Sequence, residues 1–259
     1  MAGKQPKERL DVLVVAGGHA PSRERAQALI RAGKVVVNDE RIDKPGTKVK
    51  VDATIRLKGN DCPYVSRGGF KLAGALKEFQ VDVTGRIALD VGSSTGGFTD
   101  VLLQHGATHV IAVDVGTNQL AYSLRQDERV TVKEKTNFRT ILDTPHAEDI
   151  QAAKPSIAVG DVSFISLKLI LPSIPPLMQL PADIIFLVKP QFEVGRGEIG
   201  KGGIVKSPEA REGALQKIVE FCETELNWTI LGTMESPIQG TQGNIEYLMH
   251  ARIENPPIS

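Results

Sequence analysis

The sequence predicts a two-domain protein in which a small basic α+β domain precedes a larger α/β domain with a doubly wound, mostly parallel sheet. One observation is a change of pattern after about residue 58, where two short helices and small strands give way to strands that alternate with helices. Another is charge, because residues 1–71 hold 15 of the 31 basic residues but only 8 of the 31 acidic ones. A basic front end indicates a polyanionic partner, although an ordinary solvated surface produces the same excess.

Composition argues against several classes of protein. No apolar run reaches the length of a membrane-spanning helix, and the N-terminus shows no secretion signal. The two cysteines, Cys62 and Cys222, have neither disulfide nor zinc spacing, and the five histidines are scattered. We therefore expect a cytoplasmic protein with no membrane partner and no metal.

Residues 1–58 are predicted to form the small domain. A first helix lies in "ERLDVLVVAGG", and a second runs from an N-cap at Ser22 to a stop at Gly33. Short strands follow in "VVVND" and "ATIRL". Residues 59–65 are interpreted as a polar linker, and residues 66–259 as the second domain.

This small domain resembles the S4-type RNA-binding domain. The matches are Arg9-Leu10-Asp11, Ser22-Arg23-Glu24, Val37-Asn38 and Lys44-Pro45-Gly46, together with Ile30, Gly33 and Val35. The resemblance implies docking on structured RNA, because arginine forks match phosphate oxygens. The expected RNA contacts are Arg9, Arg23, Arg25, Arg31, Lys34 and Lys44, followed in the second domain by Arg67, Arg196 and Lys201.

The second domain alternates strands and helices in order. Strands are predicted in "RIALDVG", "HVIAVDVG", the segment before Asn137, "SIAVGDV" and "DIIFLVK". The helices between them lie in "GFTDVLLQHG", "NQLAYSLR" and "SLKLILPSIPPLM". A long amphipathic helix over about 208–226 then precedes strands in "WTILGTMES" and "IEYLMHARI". Parallel strands of this kind bring their carboxyl ends, where ligands bind, to one edge of the sheet.

The first strand runs into a glycine-rich turn, "LDVGSSTGGFTD". Its spacing is D-x-G-x-x-x-G-G, not the G-x-G-x-x-G of dinucleotide-binding proteins. A carboxylate at Asp90, beside the turn, would repel a pyrophosphate but suits a ligand that carries an ammonium and a sulfonium. The turn therefore favours S-adenosylmethionine over a nicotinamide cofactor.

Two later residues complete the predicted cofactor site. Asp114 ends the second strand, where an acid accepts ribose hydroxyls in either cofactor class. Asn137 could contact the adenine edge, and an ordinary turn asparagine is an equally good interpretation. The expected cofactor-binding residues are Asp90, Gly92, Ser93, Ser94, Thr95, Gly96, Gly97, Phe98, Asp114, Asn137 and Asp161.

Four further polar residues lie where strands and helices meet the same sheet edge. Lys71 lies in the first turns of a helix that we expect Ser66 to cap, and Asp161 ends the fourth strand. Lys189 interrupts the apolar run "IIFLVK" at the end of the fifth strand, and Glu246 begins a late strand. Lysine is rarely buried unless it is paired or functional, so Lys189 is a candidate catalytic residue.

These residues resemble the K-D-K-E tetrad of FtsJ-like RNA ribose 2′-O-methyltransferases. The segments "SRGGFKL", "DVGSSTGGFTD", "GDVSFISL", "KPQFE" and "KGGIV" extend the resemblance to the TlyA or hemolysin A-like family over nearly the whole chain. The resemblance implies a Rossmann-like methyltransferase domain, S-adenosylmethionine as the cofactor, and methylation of cytidine 2′-hydroxyls in ribosomal RNA. Free ribosomal RNA or a ribosomal subunit would be the partner.

The expected chemistry assigns a role to each tetrad residue. The ribose hydroxyl must lose a proton as it attacks a methyl group, and a lysine base, with an ordinary pKa of about 10.4, must be tuned towards the working pH. We expect Lys189 to be the base, Asp161 and Glu246 to orient the two lysines, and Lys71 to hold the target nucleotide. The glycine-rich segment after Lys189, with Arg196 and Lys201, is interpreted as a mobile loop over the site.

Two alternatives to this function remain. The family name suggests a membrane-acting hemolysin, which the lack of a spanning segment does not favour. The other alternative is a catalytically inactive RNA-binding factor for ribosome assembly, because a fold alone does not establish chemistry.

Overall fold

The computed structural model describes four stretches of the chain, residues 6–20, 22–57, 62–240 and 243–254. The chain divides into two compact units, residues 1–63 and 64–259. Of the predicted linker over 59–65, residues 59–61 lie outside the described stretches. Within these stretches, no helix is long and apolar enough to cross a membrane.

The described residues of the smaller unit form two helices and two small antiparallel sheets. The helices are α1 (Leu10–Ala16) and α2 (Arg23–Arg31). The strands are β1 (Lys7–Arg9), β2 (Val35–Val37), β3 (Glu40–Arg41), β4 (Lys48–Lys50) and β5 (Ile55–Leu57). Strand β1 pairs with β4, and the other three strands form a sheet in the order β3-β2-β5.

Local sequence explains both helix ends of α2. The Ser22 hydroxyl accepts a hydrogen bond from the backbone N–H of Arg25 at 3.2 Å, which confirms the predicted N-cap. Gly33 follows the helix with φ +66°, a conformation that favours glycine. The first helix is shorter than the prediction, because Lys7–Arg9 pairs with β4 and the helix begins only at Leu10.

The larger unit is built on a seven-stranded sheet. Its strands are β6 (Ile87–Val91), β7 (His109–Val113), β8 (Val130–Lys133), β9 (Ile157–Gly160), β10 (Ala182–Val188), β11 (Thr229–Glu235) and β12 (Tyr247–Ile253). Their order is β11-β12-β10-β9-β6-β7-β8. The five strands from β10 to β8 are parallel, and β12 runs antiparallel to both neighbours, so the predicted mostly parallel α/β sheet is confirmed.

Helices cover the two faces of this sheet. They are α3 (Gly69–Glu78), α4 (Gly97–Gln104), α5 (Tyr122–Arg125), α6 (Pro145–Ala153), α7 (Pro190–Glu193) and α8 (Pro208–Thr224). Strand β10 is buried along its whole length. Ile184 and Phe186 pack into one apolar layer, whereas Ile185 and Leu187 pack into the opposite one, as the two-residue period of a strand requires.

Two predicted helices differ from the structure. The segment "SLKLILPSIPPLM" forms three short 3₁₀ turns, Leu167–Leu169, Leu171–Ser173 and Pro175–Leu177, because its prolines lack the N–H that a continuous helix needs. The helix expected in "NQLAYSLR" is reduced to the single turn of α5. Neither change alters the sheet.

Candidate active site

Three strands of the larger unit end at one edge of the sheet with a charged residue directly after each. Asp114 follows β7, Asp161 follows β9, and Lys189 follows β10. Burial of the strands fixes the position of the backbone at these three points, and their side chains leave the sheet where parallel strands present their carboxyl ends.

The structure brings the four tetrad residues into one connected group. The Nζ atom of Lys71 lies 2.7 Å from Glu246 Oε2 and 3.3 Å from Asp161 Oδ2. The Nζ atom of Lys189 lies 2.5 Å from Asp161 Oδ1. Asp161 therefore contacts both lysines, and the group holds two positive and two negative side chains.

The group is largely removed from water. The exposed fractions are 7% for Lys71, 8% for Lys189 and 3% for Glu246. Burial alone would raise the pKa of the Asp161 carboxyl, but the charges of Lys189 and Lys71 outweigh burial and lower that pKa below its ordinary value. Asp161 is therefore ionised at neutral pH.

Helix α3 positions Lys71, but not through the predicted cap. The helix begins at Gly69 after Gly68, with no side-chain cap, so the expected role of Ser66 is wrong. The backbone N–H of Gly69 instead donates to the backbone oxygen of Ser66 at 3.1 Å. Gly97 allows the starts of α3 and α4 to approach each other, because a Cβ at this position would lie 2.4 Å from the Ser66 hydroxyl oxygen.

Glu246 is held from two directions. It lies immediately before β12, and its Oε1 atom accepts a hydrogen bond from Gln191 Nε2 at 3.4 Å. Gly240 is close enough that a Cβ there would lie 2.4 Å from Glu246 Oε1. The absence of a side chain at Gly240 therefore leaves the space that this carboxylate occupies.

Two adjoining cavities meet at the tetrad. The first has a volume of about 240 Å³ and is lined by Ser66, Gly68, Lys71, Gly92, Ser93, Ser94, Thr95, Gly97, Phe98, Asp161, Ser163, Lys189 and Glu246. The second has a volume of about 540 Å³, and its walls include Gly92, Ser94, Val113, Asp114, Val115, Asn137, Phe138, Asp161, Ser163, Phe164 and Ile170. Gly92, Ser94, Asp161 and Ser163 line both cavities, so a ligand in one can contact a ligand in the other.

Most of the predicted cofactor residues lie on these walls. The carboxylate of Asp114 accepts hydrogen bonds from the backbone N–H groups of Ser94 and Gly116, each at 2.7 Å. Asn137 lines the second cavity, and its side chain also accepts from the backbone N–H of Arg139 at 3.1 Å. Asn137 therefore stabilises a turn, one of the two interpretations that the sequence allowed, and it also lies on the wall of the second cavity.

Asp90 and Gly96 line neither cavity. Asp90 is 1% exposed, and its Oδ2 atom accepts a hydrogen bond from the Thr99 hydroxyl at 2.6 Å. Burial raises the pKa of Asp90 to about 7 despite that bond. Gly96, with φ +95°, lies against Leu124 and Leu120.

Several residues of the site were not identified from the sequence. Ser163 accepts a hydrogen bond from Lys189 Nζ at 2.7 Å, and its position two residues after Asp161 is a signal that could have found it. Phe164, 91% exposed and with φ +65°, lines the second cavity. Asn244 is 2% exposed and binds the backbone of Gly203 and Val205 at 2.9 and 3.0 Å.

The residues predicted to contact RNA differ in their exposure and in the groups that they bind. Arg9 and Arg23 bind Asp11. Within the described stretches of the chain, the exposed predicted contacts without an ion pair are Arg25, Arg31, Lys34, Lys44 and Lys201. Arg67 donates to the backbone oxygen of Gln239 at 2.5 Å. The side chain of Arg196 lies outside the described part of the structure. The segment predicted as a mobile loop contributes no described residue to either cavity wall.

The family profile of FtsJ-like methyltransferases matches residues 64–253, and that of the S4 domain matches residues 8–55. The sheet order, the polar tetrad at its edge and these matches define the class of protein: an α/β methyltransferase joined to an S4 domain.

Individual relatives share the whole arrangement. "Putative rRNA methyltransferase YqxC" of Bacillus subtilis is 52% identical over 94% of this chain and 85% of its own. "16S/23S rRNA (cytidine-2'-O)-methyltransferase TlyA" of Mycobacterium tuberculosis is 44% identical, with coverage of 96% and 91%. A solved structure, "Putative hemolysin from Streptococcus thermophilus", has 46% identity and a TM-score of 0.73, with coverage of 98% and 91%. The chain belongs to the FtsJ-like methyltransferase family and, within it, to the TlyA or hemolysin A-like group.

Proposed function

We propose that the protein transfers a methyl group from S-adenosylmethionine to the ribose 2′-hydroxyl of a cytidine in ribosomal RNA, with Lys189 as the general base. The observation that carries the proposal is the pair of lysines that share Asp161 at the junction of two cavities. One cavity is wide enough for the cofactor, and the smaller one is lined by the residues that would act on the hydroxyl. Ribosomal RNA as the substrate class implies a cytoplasmic site of action.

The larger cavity fits S-adenosylmethionine. Its volume of about 540 Å³ is in the usual range for a cofactor or small-molecule pocket. Asp114 presents a carboxylate that two backbone N–H groups fix at the rim, which suits ribose hydroxyls. Gly92 lets the turn after β6 lie close to the segment that carries Asp161, because a Cβ there would lie 3.2 Å from the backbone oxygen of Asp161. The cofactor supplies a methyl group on a positively charged sulfur.

The contacts of the two lysines distinguish their roles. Lys71 lies between two carboxylates, those of Asp161 and Glu246, which together stabilise an ammonium. Lys189 contacts one carboxylate and one neutral hydroxyl, those of Asp161 and Ser163. We therefore assign the role of base to Lys189, which contacts fewer carboxylates among the described residues, and the role of binding the nucleotide to Lys71.

A neutral amine at Lys189 would be oriented by its two neighbours. It has two N–H groups and one lone pair. Ser163 Oγ accepts one hydrogen at 2.7 Å, and the charged Oδ1 atom of Asp161 lies 2.5 Å from the same Nζ atom. The lone pair is then left for the hydroxyl of a ribose in the smaller cavity, which Lys189 lines. Lys189 Nζ would take the O–H proton of that ribose as its oxygen bonds to the methyl carbon that the cofactor would supply, while the carbon–sulfur bond breaks and the sulfur leaves as a neutral thioether. Alignment of oxygen and methyl would supply much of the remaining rate.

The experiment that tests the function combines substrate mapping with one variant. The protein is incubated with tritiated S-adenosylmethionine and unmethylated ribosomal subunits, and the labelled nucleotide is located and digested to show a 2′-O-methyl ribose. Lys189→Arg keeps the charge but removes a usable base, so we expect a loss of about 100-fold or more in rate. A wild-type rate in this variant would show that Lys189 is not the base.

The same purified protein can be used to distinguish a methyltransferase from the two alternative functions. No label in any RNA, with RNA binding intact, would indicate the inactive assembly factor. Release of dye from lipid vesicles by the purified protein would indicate the membrane-acting hemolysin. We expect label in RNA and no release of dye.

A further inference from the structure

A buried carboxylate in the smaller unit binds two arginines that the sequence associates with RNA. Asp11 has an exposed fraction of 0%, and its Oδ1 and Oδ2 atoms accept hydrogen bonds from Arg9 Nε and Arg9 Nη2, each at 2.9 Å. Its Oδ2 atom also accepts from Arg23 Nη2 at 3.2 Å and Gln27 Nε2 at 2.9 Å. One carboxylate thus connects the end of β1 with the first two turns of α2.

The two arginines remain accessible although their carboxylate is not. The exposed fractions of the side chains are 42% for Arg9 and 55% for Arg23. Arg9 uses Nε and Nη2 on Asp11, and Arg23 uses one Nη2 hydrogen bond, so each guanidinium keeps N–H groups that contact no other acceptor among the described residues. Gly46 borders Arg9 closely, with a Cβ position 3.4 Å from Nη1.

The charge state of this cluster is fixed. Hydrogen bonds from Arg9 above all, then from Gln27 and Arg23, hold the pKa of Asp11 well below its usual range despite burial. Two guanidiniums and one carboxylate leave a net charge of +1 on this cluster. A second acid lies beside it, because the Glu8 carboxylate accepts from the backbone N–H of Arg9 at 2.6 Å.

We propose that Asp11 is a positioning residue that holds Arg9 and Arg23 as a preformed pair for the phosphates of structured RNA. The inference rests on the proposed function, because it takes RNA as the substrate. Guanidinium forks match phosphate oxygens, and a phosphate bound by both arginines would contact the N–H groups that Asp11 does not use. The carboxylate itself does not contact the RNA.

The physical advantage is the ordering that occurs before RNA binds. A free arginine side chain loses rotamer freedom when a phosphate immobilises it, and that loss weakens binding. Asp11 has already restricted both side chains, so we expect it to contribute about tenfold to RNA affinity. A negative charge in a surface that binds a polyanion also lowers affinity. The ordering of the two arginines and the charge of Asp11 therefore change RNA affinity in opposite directions.

Because the two effects are opposite, substitution of Asp11 shows which of them determines RNA affinity. Asp11→Asn removes a negative charge and the second acceptor oxygen, and the matched control is Asp39→Asn in the same unit. Asp39 is 87% exposed and pairs with Arg56 at 2.9 Å, outside the predicted RNA contacts. Affinity is measured on the full-length protein by filter binding to in vitro transcribed 16S and 23S rRNA over a range of salt concentrations.

We expect Asp39→Asn to bind equally or more tightly and Asp11→Asn to bind about tenfold more weakly, with a shallower salt dependence. S-adenosylmethionine binding should not change in either variant. If Asp11→Asn binds as tightly as Asp39→Asn while the wild type still methylates RNA, the inference is wrong and the proposed function stands. If the wild type binds neither RNA, both are overturned.

A second variant keeps the test valid if Asp11→Asn unfolds the smaller unit. Arg9→Lys with Arg23→Lys keeps every charge, and both side chains are partly exposed, so folding should persist. The proposal expects a loss of affinity comparable to that of Asp11→Asn, and wild-type affinity in this double variant would overturn it. Adding Asp11→Asn to the double variant should cause no further loss, because Asp11 then has no fork to position.

Discussion

The Nζ atom of Lys189 lies 2.5 Å from the Oδ1 atom of Asp161, while the other oxygen of the same carboxylate faces Lys71 at 3.3 Å. One carboxylate therefore neutralises part of the charge of two lysines that are each less than a tenth exposed. Without it, two cations would lie in the same poorly solvated place with Glu246 as the remaining acid. Asp161 is thus both a structural and a chemical requirement of the site.

Replacing Asp161 with asparagine should reduce the methylation rate by about 100-fold or more, because the site loses the negative charge and one of the two carboxylate oxygens that pair with Lys71 and Lys189. The free energy of unfolding should fall by about 1–3 kcal/mol, less than for a fully buried pair because the Asp161 side chain is 23% exposed. Rates come from single-turnover methylation, and unfolding is followed in urea by the fluorescence of Trp228, the single tryptophan. Asp149→Asn, which removes an exposed partner of Lys133, is the control and should change neither.

Substitutions of Ser163 distinguish a role in orienting Lys189 from a role in binding RNA. Ser163→Ala should lower kcat about fivefold, the effect of one hydrogen bond of roughly 1 kcal/mol, and leave KM for RNA unchanged. Ser163→Thr keeps the hydroxyl and should restore most of kcat. A change confined to KM, or no recovery with threonine, would contradict the orienting role.

Asn244 connects two segments near the tetrad. Its side chain holds Gly203 and Val205, and its backbone oxygen accepts from the N–H of Gly240, beside Glu246. Asn244→Ala leaves these buried groups without partners, which should cost about 1–3 kcal/mol locally and open the segment. We expect faster trypsin cleavage after Lys201 and Lys206 and a lower kcat, measured on the native enzyme. Equal cleavage rates in variant and wild type would show that Asn244 does not hold this segment.

The sequence predicted best what is local and periodic. Asp161 and Lys189 could be placed because each follows an apolar strand, and parallel strands end at one edge. Lys71 and Glu246 became convincing only through the family pattern, since 175 positions separate them. Contacts such as Asn244 with Gly203, or Asp11 with Gln27, leave no periodic signal, because side-chain hydrogen bonds between distant segments depend on packing.

Asp90 leads to a prediction about the pH dependence of stability. Burial raises its pKa from 3.8 to about 7 in the folded protein, and its Oδ1 atom has no hydrogen-bond partner among the residues that the structure describes. Between about pH 4 and pH 7 the folded protein therefore keeps a proton that the unfolded chain has released. Since stability falls with pH wherever the folded state binds more protons, Asp90 should destabilise the larger unit progressively across this window, by up to ~1.4 kcal/mol per pH unit.

The comparison of wild type with Asp90→Asn isolates this effect, because the other titrating groups are common to both proteins. Asparagine can still accept from Thr99 but carries no charge at any pH. Relative to the wild type, the variant should gain about 3 kcal/mol between pH 4.5 and pH 8, measured by urea unfolding with Trp228 fluorescence. Asp82→Asn is the control: the pKa of Asp82 is lowered by hydrogen bonds from Thr84, so its difference from the wild type should stay constant above pH 5. If the difference in unfolding free energy between Asp90→Asn and the wild type is also independent of pH, Asp90 is ionised throughout this range. Groups other than Thr99 would then stabilise its negative charge.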